Sequence, residues 1–128
     1  MPARRILVVD DHRDSATSLA MVLDLMGNLT RTAFDGPSAI EAAERFRPDV
    51  IFLDLGLPKL DGYDTCRRIR QAPWGREMLI VALTGRGGEE DRRRSAEAGF
   101  SLHLVKPLHA HELERMLAEL LGVGPSGR

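Results

Sequence analysis

The sequence predicts one α/β domain, a five-stranded parallel sheet with helices on both faces in a three-layer sandwich. Three observations carry this. Short apolar runs alternate five times with segments of helical periodicity. Ile6-Leu7-Val8-Val9, Val50-Ile51-Phe52-Leu53 and Met78-Leu79-Ile80-Val81-Ala82-Leu83 are continuously apolar, as strands buried on both faces are. The 128 residues are 43% hydrophobic and 29% charged, which suits a single globular domain with a real core and argues against disorder. Strands that alternate with helices form right-handed βαβ units, so the sheet is parallel and covered on both sides.

Arg5 to Val9 reads as a first buried strand ending at Asp10-Asp11. Ser15 to Met26 carries Leu19, Val22, Leu23 and Met26 at helical spacing, with Gly27 as its stop. Leu29 to Ala33 alternates and is placed near a sheet edge. Gly36-Pro37 opens a second helix with Ala39, Ile40, Ala43 and Phe46 on one face, and Pro48 lies past its end. The Val50 strand ends on Asp54, and Gly56 and Pro58 then force a loop. A third helix runs from about Gly62 to Arg70 with a narrow stripe of Tyr63, Cys66 and Ile69. The Met78 strand ends at Thr84-Gly85. A charged helix covers Glu89 to Ala98 and closes at Gly99, and Leu102 to Val105 is a short fifth strand ending at Lys106-Pro107. The last helix spans His109 to Leu121. The domain is therefore placed at residues 1–121, with 122–128 as a flexible tail.

Eighteen basic and nineteen acidic residues leave a formal charge of −1, so nucleic acid and anionic membranes exert no bulk attraction. One cysteine, Cys66, excludes an internal disulfide and suits a reducing compartment. Nothing approaches a membrane span, and Ile6 to Val9 is too short for a signal-peptide core. A cytoplasmic protein is expected.

In a parallel sheet the strand ends share one edge. Asp10, Asp11, Asp54, Thr84 and Lys106 therefore converge, although they lie far apart in sequence. Clustered carboxylates repel, and a cation relieves them. A hard divalent ion with oxygen ligands, Mg²⁺ above all, suits that role. A carboxylate beside a metal and the Lys106 ammonium can attack an electrophilic phosphorus and form an acyl phosphate.

Val8-Val9-Asp10-Asp11, Leu53-Asp54-Leu55-Gly56-Leu57-Pro58-Lys59-Leu60-Asp61-Gly62, Ala82-Leu83-Thr84-Gly85 and Val105-Lys106-Pro107 resemble the four signatures of the response-regulator receiver domain. This is the CheY-like module of two-component signalling, and the likeness runs from about Arg5 to Leu121. It implies a flavodoxin-like, doubly wound fold. By resemblance Asp54 is the phospho-acceptor. Asp10 and Asp11 hold Mg²⁺ (or Mn²⁺) together with Asp54 and the backbone carbonyl of Gly56. Lys106 pairs with the phosphoryl oxygens, Thr84 is the switch hydroxyl, and its neighbour Gly85 fits the need for a small residue beside the phosphoryl group. Pro107 follows a peptide bond that is typically cis in the family, an isomer that sequence leaves open. Asp61-Gly62 resembles the turn into the third helix. His103 stands where the family usually has a switch aromatic, and it reads either as the switch or as a surface strand residue.

Other residues carry plainer expectations. Cys66 reads as core packing rather than a reactive thiol. His12, His109 and His111 make no metal site. Arg86 overlies the site's mouth or is a plain surface arginine. Glu89 to Arg94 is a solvated face or a docking surface. The expected partners are a sensor histidine kinase or histidine phosphotransfer protein and a downstream protein, with no direct nucleic-acid or membrane contact, in a monomer or weak homodimer. Whether the chain stands alone or belongs to a hybrid kinase is open. The resemblance implies a signalling module with only self-catalysed phosphorylation and dephosphorylation of Asp54, rather than an enzyme. The rival reading is a Mg²⁺-dependent phosphatase with an aspartyl nucleophile. Such enzymes place a second acid two residues after the nucleophile, where this chain has Gly56.

Overall fold

Side chains along a strand alternate between its faces, and here both faces are apolar. Leu7 and Val9 of the first strand, β1 (Arg5–Val9), lie in one core cluster, while Ile6 and Val8 lie in another. The computed structural model describes residues 4–85 and 88–121. The remaining elements are α1 (Arg13–Leu25), β2 (Leu29–Ala33), α2 (Gly36–Phe46), β3 (Val50–Asp54), α3 (Gly62–Gln71), β4 (Leu79–Thr84), α4 (Glu89–Ala98), β5 (Leu102–Val105) and α5 (Ala110–Leu121). The strands pair in parallel in the order β2-β1-β3-β4-β5. One layer packs Leu7, Ile51, Leu53 and Ile80 against Ala39 and Ala43 of α2 and Cys66 and Ile69 of α3. The other packs Val8, Phe52, Val81 and Leu83 against Leu23 of α1 and Leu113 of α5. This is the predicted doubly wound sandwich.

Local chemistry sets the helix ends. Asp35 and Asp61 cap α2 and α3 by accepting the Ser38 and Asp64 amides at 2.8 and 2.9 Å. Arg47 and Gly99 end α2 and α4 in the left-handed region, at φ 52° and 106°. α1 begins two residues earlier than the apolar pattern suggested. His12 supplies the cap there, with Nδ1 accepting the Ser15 amide at 3.3 Å. β4 is shifted one residue later than expected, and α5 starts at Ala110 rather than His109. A 3-10 turn at Pro73–Gly75 was not foreseen, because three residues carry no periodicity. The tail 122–128 lies outside the described residues, as does Arg86.

Arg70 fastens the end of the sheet remote from Asp54. Its guanidinium donates to the carbonyls of Gly75 and Gly99 and to Ser101 Oγ, at 2.9, 2.8 and 3.2 Å. It thereby joins α3, the 3-10 turn and the start of β5. Arg70→Leu is expected to cost about 2–3 kcal/mol in urea unfolding, because it orphans several carbonyls at once.

Candidate phosphoryl-acceptor site

Register builds the site. Val9 pairs with Leu53 and Leu83 with Asp54, so Asp10 and Asp54 leave neighbouring strands side by side. Thr84 pairs with Val105, and Lys106 is the next residue, its amide bonded to the Thr84 carbonyl at 2.8 Å. β1 and β3 flank the point where the strand order reverses, the usual ligand crevice of an open α/β sheet.

The Lys106 ammonium donates to Asp54 Oδ2 at 2.9 Å and to Asp10 Oδ2 at 3.2 Å. The second Asp54 oxygen accepts the Gly56 amide at 2.8 Å, and Asp10 Oδ1 accepts the His12 amide at 3.0 Å. One carboxylate oxygen from each of Asp10, Asp11 and Asp54 lies within 4.8 Å of the others. Asp10 is buried, Asp54 half-buried and Asp11 exposed. Burial and the Asp54 charge push the Asp10 carboxyl above its ordinary value, against the opposing pull of the His12 amide and Lys106. Burial pulls Lys106 down, but its bonds and charge contacts with Asp54 and Asp10 outweigh that, so the ammonium is held above its usual range. Three carboxylates against one ammonium leave negative charge to be balanced, and every converging oxygen is a hard ligand. The donor set therefore fits a divalent cation that keeps several waters, such as Mg²⁺.

The sign of the Asp10 shift makes a stability statement. Its raised value means the folded state holds the proton more tightly than the unfolded chain. Stability is thus lost as pH rises from the ordinary carboxylate value of 3.8 through the raised one. Asp10→Asn is expected to raise the melting temperature in EDTA at pH 7. That advantage should shrink to nothing below the ordinary carboxylate value, as thermal melts across pH will check.

The remaining sequence-predicted residues fall as follows. Thr84 ends β4, half-buried, at the same edge. A Cβ at Gly85 would meet nothing within 4 Å among the described residues. The Lys106–Pro107 bond is cis. His103 is no surface strand residue: it is 9% exposed, and Nδ1 lies 2.9 Å from Ser95 Oγ on α4. Cys66 is buried in the core, where burial pushes its thiol up to about 11. His12 is a helix cap.

Two residues shape the site in ways that sequence reasoning did not reach. Gly62 donates to the Leu55 carbonyl, and a Cβ there would meet Leu55 Cα at 2.6 Å and the Asp54 carbonyl oxygen at 2.7 Å. The Asp61-Gly62 turn showed that a helix starts here, but not how closely it approaches Asp54. Ser95, in a charged helix, gave no signal at all.

The sheet order, the switch-point crevice and the carboxylate–ammonium cluster define a CheY-like α/β signalling domain. Known proteins agree. The response regulator receiver domain profile matches residues 6–118. Response regulator MprA of Mycobacterium leprae is 38% identical over 117 residues, 91% of this chain and 50% of MprA. The receiver domain of sensor histidine kinase PA1611 from Pseudomonas aeruginosa PAO1, which carries a magnesium ion in its active-site cleft, superposes with TM-score 0.87 at 36% identity, covering 94% of this chain and 99% of that one. Chemotaxis protein CheY4 of Vibrio cholerae gives TM-score 0.88 at 26% identity, covering 92% and 98%. The chain belongs to the response regulator receiver domain family and is a receiver module of two-component signalling. It spans half the length of MprA. None of the comparisons supports the phosphatase alternative. Among the described residues no helix is long and apolar enough to cross a membrane.

Proposed function

We propose that Asp54 takes a phosphoryl group from the phosphohistidine of a sensor histidine kinase or a histidine phosphotransfer protein. The observation that carries this is the Lys106 ammonium, bonded at once to Asp54 and to Asp10 on neighbouring strand ends. A carboxylate oxygen of Asp54 attacks phosphorus in line, the P–N bond breaks, and the donor imidazole leaves with its electron pair. Asp10, Asp11, Asp54 and the Gly56 carbonyl would hold Mg²⁺ (or Mn²⁺). When bound, the ion neutralises charge on the phosphoryl oxygens and the acidic cluster. Lys106 offers its ammonium to a phosphoryl oxygen, and the Gly56 amide orients the attacking carboxylate.

Thr84 then donates its hydroxyl to the phosphoryl group, and His103 acts as the switch residue next to it. New charge at Asp54 thereby biases the face formed by α4, β5 and α5, which a downstream protein reads. The balanced net charge and reduced Cys66 suit a cytoplasmic domain without direct nucleic-acid contact.

Incubation with acetyl phosphate and Mg²⁺ is expected to add one phosphoryl mass to the wild type and none to Asp54→Asn, read by intact-mass spectrometry. Equal phosphorylation of both proteins would sink the assignment.

A further inference from the structure

α4 buries only two small residues, Ser95 and Ala98. So little apolar area holds this helix that polar contacts decide its seat. On the α3 side, Arg94 lies over the Tyr63 ring at 4.3 Å, and Arg70 grips the Gly99 carbonyl. On the β5 side stands Ser95. Its Oγ is 3.0 Å from the Asp91 carbonyl oxygen and 2.9 Å from His103 Nδ1. A hydroxyl has one proton to give. With that proton on the Asp91 carbonyl, which can only accept, the second contact is a hydrogen bond only if Nδ1 carries a hydrogen and donates it to Oγ. With the hydroxyl proton so placed, His103 is the Nδ1–H tautomer. The result is a donor chain from the β5 imidazole through Ser95 to the first turn of α4.

The second observation is where the ring sits. At 9% exposure it occupies a buried position beneath α4. Burying an imidazole carries a desolvation cost, which the hydrogen bond to Ser95 offsets. We infer that Ser95 is a positioning residue that holds His103 buried beneath α4, and that this contact supports the arrangement of the α4–β5 face that phosphorylation favours. This rests on the reading of His103 as the switch residue.

Two measurements test it. Imidazole ¹⁵N NMR of the unphosphorylated protein is expected to report Nδ1–H at His103, and Ser95→Ala to return the ring to the Nε2–H form common in solution. Beryllofluoride with Mg²⁺, a phosphoryl mimic, is expected to bind Ser95→Ala about three- to tenfold more weakly, the worth of one net hydrogen bond in the population of the competent state. In a His103→Phe background, whose ring cannot bond the hydroxyl, the same substitution should leave affinity unchanged. An Nε2–H ring in the wild type overturns the inference, and so does Ser95→Ala binding as tightly as the wild type or more tightly. The NMR result needs no phosphoryl mimic. If the wild type failed to bind beryllofluoride, the role of Asp54 would fall while the tautomer still decided the role of Ser95.

Discussion

Lys106→Met is expected to slow phosphorylation by acetyl phosphate by on the order of 10²-fold, the usual loss when one preorganised donor to a developing charge is removed. Methionine keeps a long unbranched stem and deletes only the ammonium that now bonds Asp54 at 2.9 Å and Asp10 at 3.2 Å. The lysine side chain is 36% exposed, so its loss weighs more on the chemistry than on folding. Lys106→Arg should recover little of the rate, because a planar fork cannot occupy the point that the ammonium fills between two strand ends. The raised value of Lys106 keeps it charged throughout the neutral range, so no pH adjustment below the ordinary lysine value should mimic the mutation. Time courses of phosphoprotein by intact mass decide the matter. A wild-type rate in Lys106→Met would remove this residue from the chemistry.

Gly62→Ala should lower stability by about 2–3 kcal/mol and, in the molecules that remain folded, reduce phosphorylation as well. The added methyl would fall 2.6 Å from Leu55 Cα and 2.7 Å from the Asp54 carbonyl oxygen, both backbone atoms that no rotamer change can clear. Either α3 retreats from the sheet or the Asp54–Leu55 segment shifts. The first opens the layer around Tyr63 and Cys66, and the second moves the acceptor away from Lys106. Urea unfolding and phosphorylation rates, measured together, will show both effects. A protein unchanged in either would mean the contact is not made in solution.

Much of this was legible because strands buried on both faces announce themselves as unbroken apolar runs, and each run ended on a polar residue. Asp10, Asp54, Thr84 and Lys106 were readable as one edge from topology alone, before any distance was known. Contacts between elements were not readable. The burial of His103 depends on which way a strand residue faces under α4, and a lone serine among charges could not disclose that. Arg70 marked only the end of a helix in the sequence, because its partners are carbonyls 5 and 29 residues away. The start of α1 was missed for a different reason: histidine is an uncommon cap, so the apolar pattern set the boundary too late.

The thin attachment of α4 has a consequence for descent as well as for signalling. Most of its residues contribute nothing to the core, so substitutions on its outer face escape the stability cost that restrains the central strands. The acceptor chemistry rests on β1 and β3, where almost every side chain is enclosed and change is expensive. Sequence drift is thus cheap on this one helix, while the floor beneath Asp54 is held to its present residues by its own packing.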